Sequence, residues 1–201
     1  KNLLKHNVTV IGISRKHTIK HKNYFAISFD LNDLNNIKNI LDDIIFNHKK
    51  IDAIISGAGY GVFENIENLK EKEVIDFFNV NLLAHILISK SLVSHFKKKK
   101  TGHFIFIGSE ASLKGNQKST IYSAAKHGLL GFVKSFREEC NKSEIRATII
   151  NPGMVNSTFF KKLKFSPGKS IKNSIKLEDI AELVFFILKS NRNINYNDIY
   201  L

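Results

Sequence analysis

The chain is predicted to fold as an α/β domain built on a doubly wound parallel sheet. Strand-like and helix-like segments alternate along its length, and the strand-like ones are unbroken apolar runs rather than in–out alternations. Unbroken apolar strands belong to parallel sheets covered by helices on both faces. Small, polar or charged residues also stand at every strand exit, and such sheets bind their ligands beyond the carboxyl ends of the strands.

In chain order, residues 1–7 (KNLLKHN) read as the last turns of a helix. Residues 8–13 and 24–29 are short apolar stretches with β-branched and aromatic side chains, hence buried strands. Between them, Arg15 to Tyr24 holds only KHTIKHKN, a bare loop where a parallel crossover ordinarily needs a dozen residues or more. Residues 33–48 carry Leu34, Ile37, Ile40, Leu41, Ile44 and Ile45 at helical spacing, with Asn32 or Asp33 as cap. A strand at 51–56 runs into Gly57-Ala58-Gly59, and 70–96 reads as one or two long helices. Strand 103–108, helix 120–141, strand 145–151 stopped by Pro152-Gly153, helix 177–189 and a last strand at 198–201 complete the order. No internal repeat or flexible linker divides the 201 residues, so a single domain over 1–201 is expected.

Composition narrows the class. Hydrophobic residues make up 43% and charged residues 24%, a globular balance. No apolar run approaches the ~18 residues of a membrane span. The lone Cys140 excludes an internal disulfide framework and fits a reducing, cytoplasmic setting. The formal charge of +13 raises the question of nucleic acid, but the lysines are scattered and no binding module is present. The tight run Lys97–Lys100 reads as a solvated helix end. Neither nucleic acid nor membrane is expected as partner. His17 and His21 stand four residues apart, but with no third ligand in view no metal site is expected.

Tyr122 and Lys126 stand four residues apart on a predicted helix and so share a face. A Tyr beside a fixed cation is a candidate acid/base, because the cation favours the phenolate. Spacing alone fits a buried Tyr beside a solvated Lys equally well. The ordered set of motifs is more specific. SGAG (56–59), NVNLLA with Asn81, IFIGSEAS with Ser109, the Tyr122-x-x-x-Lys126 pair and NPGMVNS follow one another along the chain. In that order and spacing the chain resembles classical-type members of the short-chain dehydrogenase/reductase family.

The resemblance implies a Rossmann-like fold and an NADP(H)-dependent oxidoreductase acting on a small-molecule carbonyl or secondary alcohol. It implies that Tyr122 exchanges a proton with the substrate oxygen and that Lys126 lowers the Tyr122 pKa and bonds the nicotinamide ribose. It implies further that Ser109 polarises the substrate oxygen and Asn81 fixes a water relaying protons to Lys126. Cofactor contacts are expected from Ser14, Arg15, Asp30, Leu31, Gly57, Ala58, Gly59, Tyr122, Lys126, Pro152, Gly153, Val155 and Ser157. Ser14 and Arg15 stand where an acidic residue would favour NAD, and a hydroxyl with a guanidinium suits a 2′-phosphate. The helices carrying Asn81 and Tyr122 resemble those through which family members form homodimers or homotetramers. Met154, Phe159, Phe160 and Phe165 are left open between lining a substrate pocket and ordinary packing.

Departures from the pattern are specific. The glycine-rich Thr-Gly-x-x-x-Gly-x-Gly signature does not occur in the chain, and Ser56-Gly57 replaces the family's Asn-Asn. The expectation is a Rossmann-like domain lacking its N-terminal βα unit, with a gap between the strands of Val10 and Ile54. The alternative is a non-catalytic remnant or binding protein unable to hold the dinucleotide.

Overall fold

The computed structural model describes residues 1–163, 165 and 174–201, with the side chains of 161 and 162 left aside. All its strand pairings are parallel. β1 (Val10–Ser14) pairs with β2 (Tyr24–Ser28), Val10 opposite Tyr24. A second sheet runs in the order β3 (Ala53–Ser56), β4 (Gly102–Ile107), β5 (Ile145–Asn151), β8 (Asp198–Tyr200). Two short strands, β6 (Val155–Asn156) and β7 (Ile175–Lys176), form a bridge beyond β5. Among the described residues β1 and β3 do not pair, so the expected break between the strands of Val10 and Ile54 is present.

Why the strands are continuously apolar is plain in β4 and β5. Phe104, Phe106, Ala147 and Ile149 face a core shared with α2 (Ile37–Asn47), α4 (Ala84–Lys99) and α5 (Thr120–Cys140). Ile105 and Ile150, one residue out of phase, face α6 (Leu177–Lys189) through Val184 and Ile187. Helices therefore cover both faces, as the apolar runs require. The single turn α1 (Asn2–Lys5) rests on α6, where His6 stacks on Phe185 at 3.8 Å.

The long helix of the sequence reading is one continuous helical stretch with an interruption. α3 (Glu71–Phe78) passes through a π-helical turn (Asn79–Leu83) into α4. Over an 18-residue window this Glu71–Lys99 stretch reaches a mean hydropathy of 1.3, enough in length and composition for a membrane span, contrary to expectation. Within it Phe77, Leu92 and Phe96 are fully buried, while Ile75 and Leu83 are exposed. Lys100, in the left-handed region at φ 51°, ends the helix. The lysine run there is not wholly solvated, since Lys99 donates to the Ile51 carbonyl and lies 3.6 Å from Asp52.

The short crossover from β1 to β2 is a loop, as read. His17 braces it, with Nδ1 at 2.7 Å from the Tyr24 hydroxyl and Nε2 at 3.0 Å from the Ile27 carbonyl. The Tyr24 phenol lies across Gly12, where a Cβ would meet its oxygen at 2.3 Å.

Phe104 sits at the centre of the main core, with ring centroids of Phe96 at 5.0 Å and Phe136 at 5.1 Å. Phe104→Ala is expected to cost about 3–5 kcal/mol, the range for a buried Phe truncation. Urea unfolding checks this, and a loss below 1 kcal/mol (about a single methylene) would contradict the packing described.

Candidate active site

The carboxyl ends of β1, β3, β4 and β5 open on a cavity that continues along the gap between β1 and β3 to Thr101, Glu144 and Arg146 at the opposite ends of the strands, about 2340 Å³ in all. Every residue expected at the catalytic or cofactor site lines it: Asn81, Ser109, Tyr122 and Lys126, and also Ser14, Arg15, Asp30, Leu31, Gly57, Ala58, Gly59, Pro152, Gly153, Val155 and Ser157. Sharing a wall of so large a cavity is less exacting than direct contact, and the contacts divide the set.

Tyr122 and Lys126 lie on the buried face of α5 at 8% and 5% exposure, which excludes a solvated Lys126. Lys126 Nζ donates to the Ile107 carbonyl at the end of β4 (3.2 Å) and stands 5.8 Å from the Tyr122 ring centroid. Burial lowers the Lys126 pKa to about 8. Burial also raises the Tyr122 pKa, against a lowering hydrogen bond from Ser109, while Glu110 raises it further. The expectation that Lys126 holds Tyr122 down is thus not met by these groups: desolvation outweighs the neighbour.

Ser109 caps the short 3-10 turn Glu110–Ser112, its hydroxyl accepting from the Ala111 N–H at 3.2 Å. Its own N–H donates to Asn151 Oδ1 at 3.3 Å, and Ser112 Oγ donates to the same atom at 3.3 Å. Asn151, read only as part of a strand stop, therefore fixes the Ser109 turn. The one signal for it was its place before Pro152-Gly153.

Asn81 sits in the π-helical turn, a feature frequent at functional sites. Its Oδ1 accepts from the Tyr60 N–H at 3.1 Å and its Nδ2 donates to the Phe77 carbonyl at 3.0 Å. The amide expected to hold a water is thus engaged on both atoms with the backbone. Gly59 is glycine because a Cβ there would meet Asn81 Oδ1 at 2.7 Å.

His85, one turn further along, was missed by sequence reasoning. It is 1% exposed, with Nδ1 at 2.6 Å from Ser56 Oγ and Nε2 at 3.0 Å from the Ala58 carbonyl.

At the far end of the cavity the Ser14 hydroxyl donates to the Lys16 carbonyl (2.7 Å), closing a local turn, and Arg15 is exposed. Asp30 accepts from the Asn32 N–H at 3.0 Å, while Leu31 packs on the main core. Ser157 Oγ accepts from the Phe159 N–H at 3.3 Å. Phe159 and Phe63 flank Tyr122, with centroids at 6.0 and 5.1 Å, and Phe165 stands edge-on to Phe63 at 4.8 Å. Of these rings Phe159 lines the cavity. Both ring nitrogens of His17 are occupied within the crossover.

A doubly wound parallel sheet with a buried Ser, Tyr and Lys at its carboxyl edge defines a class of dinucleotide-fold proteins. The chain belongs to the short chain dehydrogenase family, whose model matches residues 3–167. It is 30% identical over 200 residues to 3-oxoacyl-(acyl-carrier-protein) reductase FabG of Buchnera aphidicola subsp. Acyrthosiphon pisum, covering 93% of this chain and 82% of that protein. It is 25% identical over 173 residues to the Bos taurus 3-oxoacyl-(acyl-carrier-protein) reductase, covering 83% and 72%. Among solved structures it resembles an alcohol dehydrogenase from Thermococcus sibiricus complexed with 5-hydroxy-NADP, at TM-score 0.87 and 22% identity over 100% of this chain and 88% of that one. It also resembles the 3-ketoacyl-(acyl-carrier-protein) reductase from Brucella melitensis complexed with NADH, at TM-score 0.86 and 17% identity over 100% and 89%.

The depressed Lys126 pKa has a consequence for stability. Between about 8, in the folded chain, and the ordinary 10.5, the unfolded state holds more protons, so stability from this group rises with pH. Below about 8 the folded chain bears the full cost of a buried ammonium. Lys126→Met is therefore expected to gain stability over the parent at pH 7, and that advantage should shrink as pH approaches 10.5. Urea unfolding of both proteins across this range checks it, and parallel curves would contradict it.

Proposed function

We propose that the chain is an NADP(H)-dependent oxidoreductase acting on a small-molecule carbonyl or secondary alcohol, carried by one observation. Tyr122, Ser109 and Lys126, all nearly buried, converge where the chain exits β4, on the wall of the cavity at the carboxyl ends of the strands.

The donor set suits such a cofactor at its two ends. Lys126 and Tyr122 would bond the ribose beside the nicotinamide, and Val155 and Ser157 would hold its amide. Asp30 and Leu31 suit the adenine, and the exposed Arg15 suits a 2′-phosphate. Gly57 faces Ile107, whose Cγ1 a Cβ would meet at 3.1 Å, and Gly59 faces Asn81. For the pyrophosphate the 201 residues hold no Thr-Gly-x-x-x-Gly-x-Gly turn. When bound, the nicotinamide supplies or accepts the hydride.

The residues' own work is with the proton and the substrate oxygen. Tyr122 gives its hydroxyl proton to that oxygen on reduction and takes one back on oxidation. Ser109 donates a hydrogen bond to the same oxygen and stabilises the charge that develops on it. Ser109, whose hydrogen bond lowers the Tyr122 pKa, stabilises the tyrosinate left behind, while Lys126 stands tethered at the Ile107 carbonyl, 5.8 Å from the ring centroid. Phe159, which lines the cavity and lies edge-on to Tyr122, narrows access of water to the reacting oxygen. Naming of the FabG and Bos taurus relatives as 3-oxoacyl reductases supports a carbonyl substrate. A single domain that self-associates through α4 and α5 is part of the same reading.

A second reading, a non-catalytic remnant or binding protein unable to hold the dinucleotide, draws on the lack of pairing between β1 and β3 among the described residues. Titration with NADPH and NADH, followed by turnover of a panel of ketones and 3-oxoacyl thioesters, separates the two. Binding with turnover supports the first, and binding of neither cofactor sinks the first and supports the second.

Tyr122→Phe is expected to abolish turnover and leave NADPH affinity within about twofold, since only a hydroxyl is lost; appreciable turnover would remove Tyr122 from its role. Arg15→Ala is expected to weaken NADPH by about tenfold and NADH hardly at all, the size of one charge-assisted hydrogen bond. Equal losses for both cofactors in calorimetry would overturn the Arg15 assignment.

A further inference from the structure

The Ser56–Tyr60 segment forms the cavity wall between β3 and Asn81, and its backbone is gripped from one helix. Asn81 and His85 stand four residues apart, one in the π-helical turn and one in α4. Asn81 Oδ1 takes the Tyr60 N–H (3.1 Å), while the His85 imidazole reaches Ser56 Oγ (2.6 Å) and the Ala58 carbonyl (3.0 Å).

The partners determine the tautomer. A carbonyl can only accept, so Nε2 carries the hydrogen and donates to Ala58. Nδ1 is then the acceptor, and the Ser56 hydroxyl donates to it. Each ring nitrogen has one partner of the opposite kind, and the ring is 1% exposed. Burial first, and then the Lys126 charge, lowers the His85 pKa to about 4, so the ring stays neutral at physiological pH. That Lys126 acts on His85 at all places the imidazole within the electrostatic reach of the site.

We propose that His85 is a positioning residue, bridging the Ser56 hydroxyl and the Ala58 carbonyl so that the 56–60 wall is held in the shape the dinucleotide needs. Ser56 is too short to brace this turn from its own side, and His85 supplies the missing reach. The functional half of this statement rests on the NADP(H) reading above; the clamp itself does not.

The test uses the full chain with His85→Leu, Ser56→Ala, both together, and His85→Gln. A glutamine amide can donate to Ala58 and accept from Ser56, so it is the conservative rescue. Hydrogen exchange by mass spectrometry reads peptides spanning 56–61, and calorimetry reads NADPH. His85→Leu is expected to raise exchange in that segment about tenfold and weaken NADPH about tenfold, the size of a net hydrogen bond or two. His85→Gln should recover most of both. The double variant should lose little more than His85→Leu, because the two residues share one interaction.

Unchanged exchange at 56–61 in folded His85→Leu overturns the clamp. Equal behaviour of Leu and Gln, or loosened exchange with NADPH affinity intact, reduces His85 to packing and overturns the positioning role. If the parent chain binds no NADPH, the NADP(H) reading and the positioning role it supports both fail, while exchange still decides the clamp. If His85→Leu does not fold, Ser56→Ala and His85→Gln carry the same comparison, and exchange in Ser56→Ala equal to the parent overturns the clamp.

Discussion

The structure depends on β4 being buried on both faces and paired along both edges. Phe104 and Phe106 press into one helical layer and Ile105 into the other, with β3 and β5 alongside. A strand so enclosed has no freedom to slide, because a one-residue slip would exchange its two sets of side chains. Its exit is therefore held by a paired strand on either side. The Ile107 carbonyl, where Lys126 is tethered, and the turn that presents Ser109 both begin there.

The same burial sets the electrostatics. Tyr122 and Lys126 are each driven toward their neutral forms by loss of water, in opposite directions on the pH scale. The two shifts move their proton affinities apart, from 10.0 and 10.5 in solution to above 10.0 for Tyr122 and about 8 for Lys126, so the phenol is the group that keeps its proton. The sequence suggested one residue tuning the other. In the structure the shared environment tunes both, and the hydroxyl of Ser109 is the group that acts directly on Tyr122.

Much of this was legible in the residues. β4 and β5 announced themselves because burial on both faces leaves no polar alternation to confuse with a loop. Ser109, Tyr122 and Lys126 were legible because several motifs recur in one order, although Tyr122 and Lys126 alone were ambiguous. His85 was not legible, since a single His in an apolar helix has no pattern, and its partners Ser56 and Ala58 lie far away in the chain. The roles of Asn151 and of the Asn81 amide were hidden for the same reason: side-chain-to-backbone bonds across the fold leave no periodic trace. The two-residue strands β6 and β7 are too short to carry any alternation.

The π-helical turn at Asn79–Leu83 changes how the long helix counts. A π turn takes up an extra residue, so the helix emerges rotated by about 100°, the angle of one residue. Phe77, before the turn, looks toward Tyr122, with ring centroids 6.4 Å apart, whereas Leu92 and Phe96, after it, look into the main core. One rod thus serves two clients that do not lie along a straight stripe, and the turn acts as a gear tooth between them. Rewinding the turn as regular α-helix at unchanged length would re-phase everything downstream, carrying His85 off the 56–60 segment and Phe96 off the core together. The winding of this segment is accordingly a constraint as strict as the identity of any side chain on it.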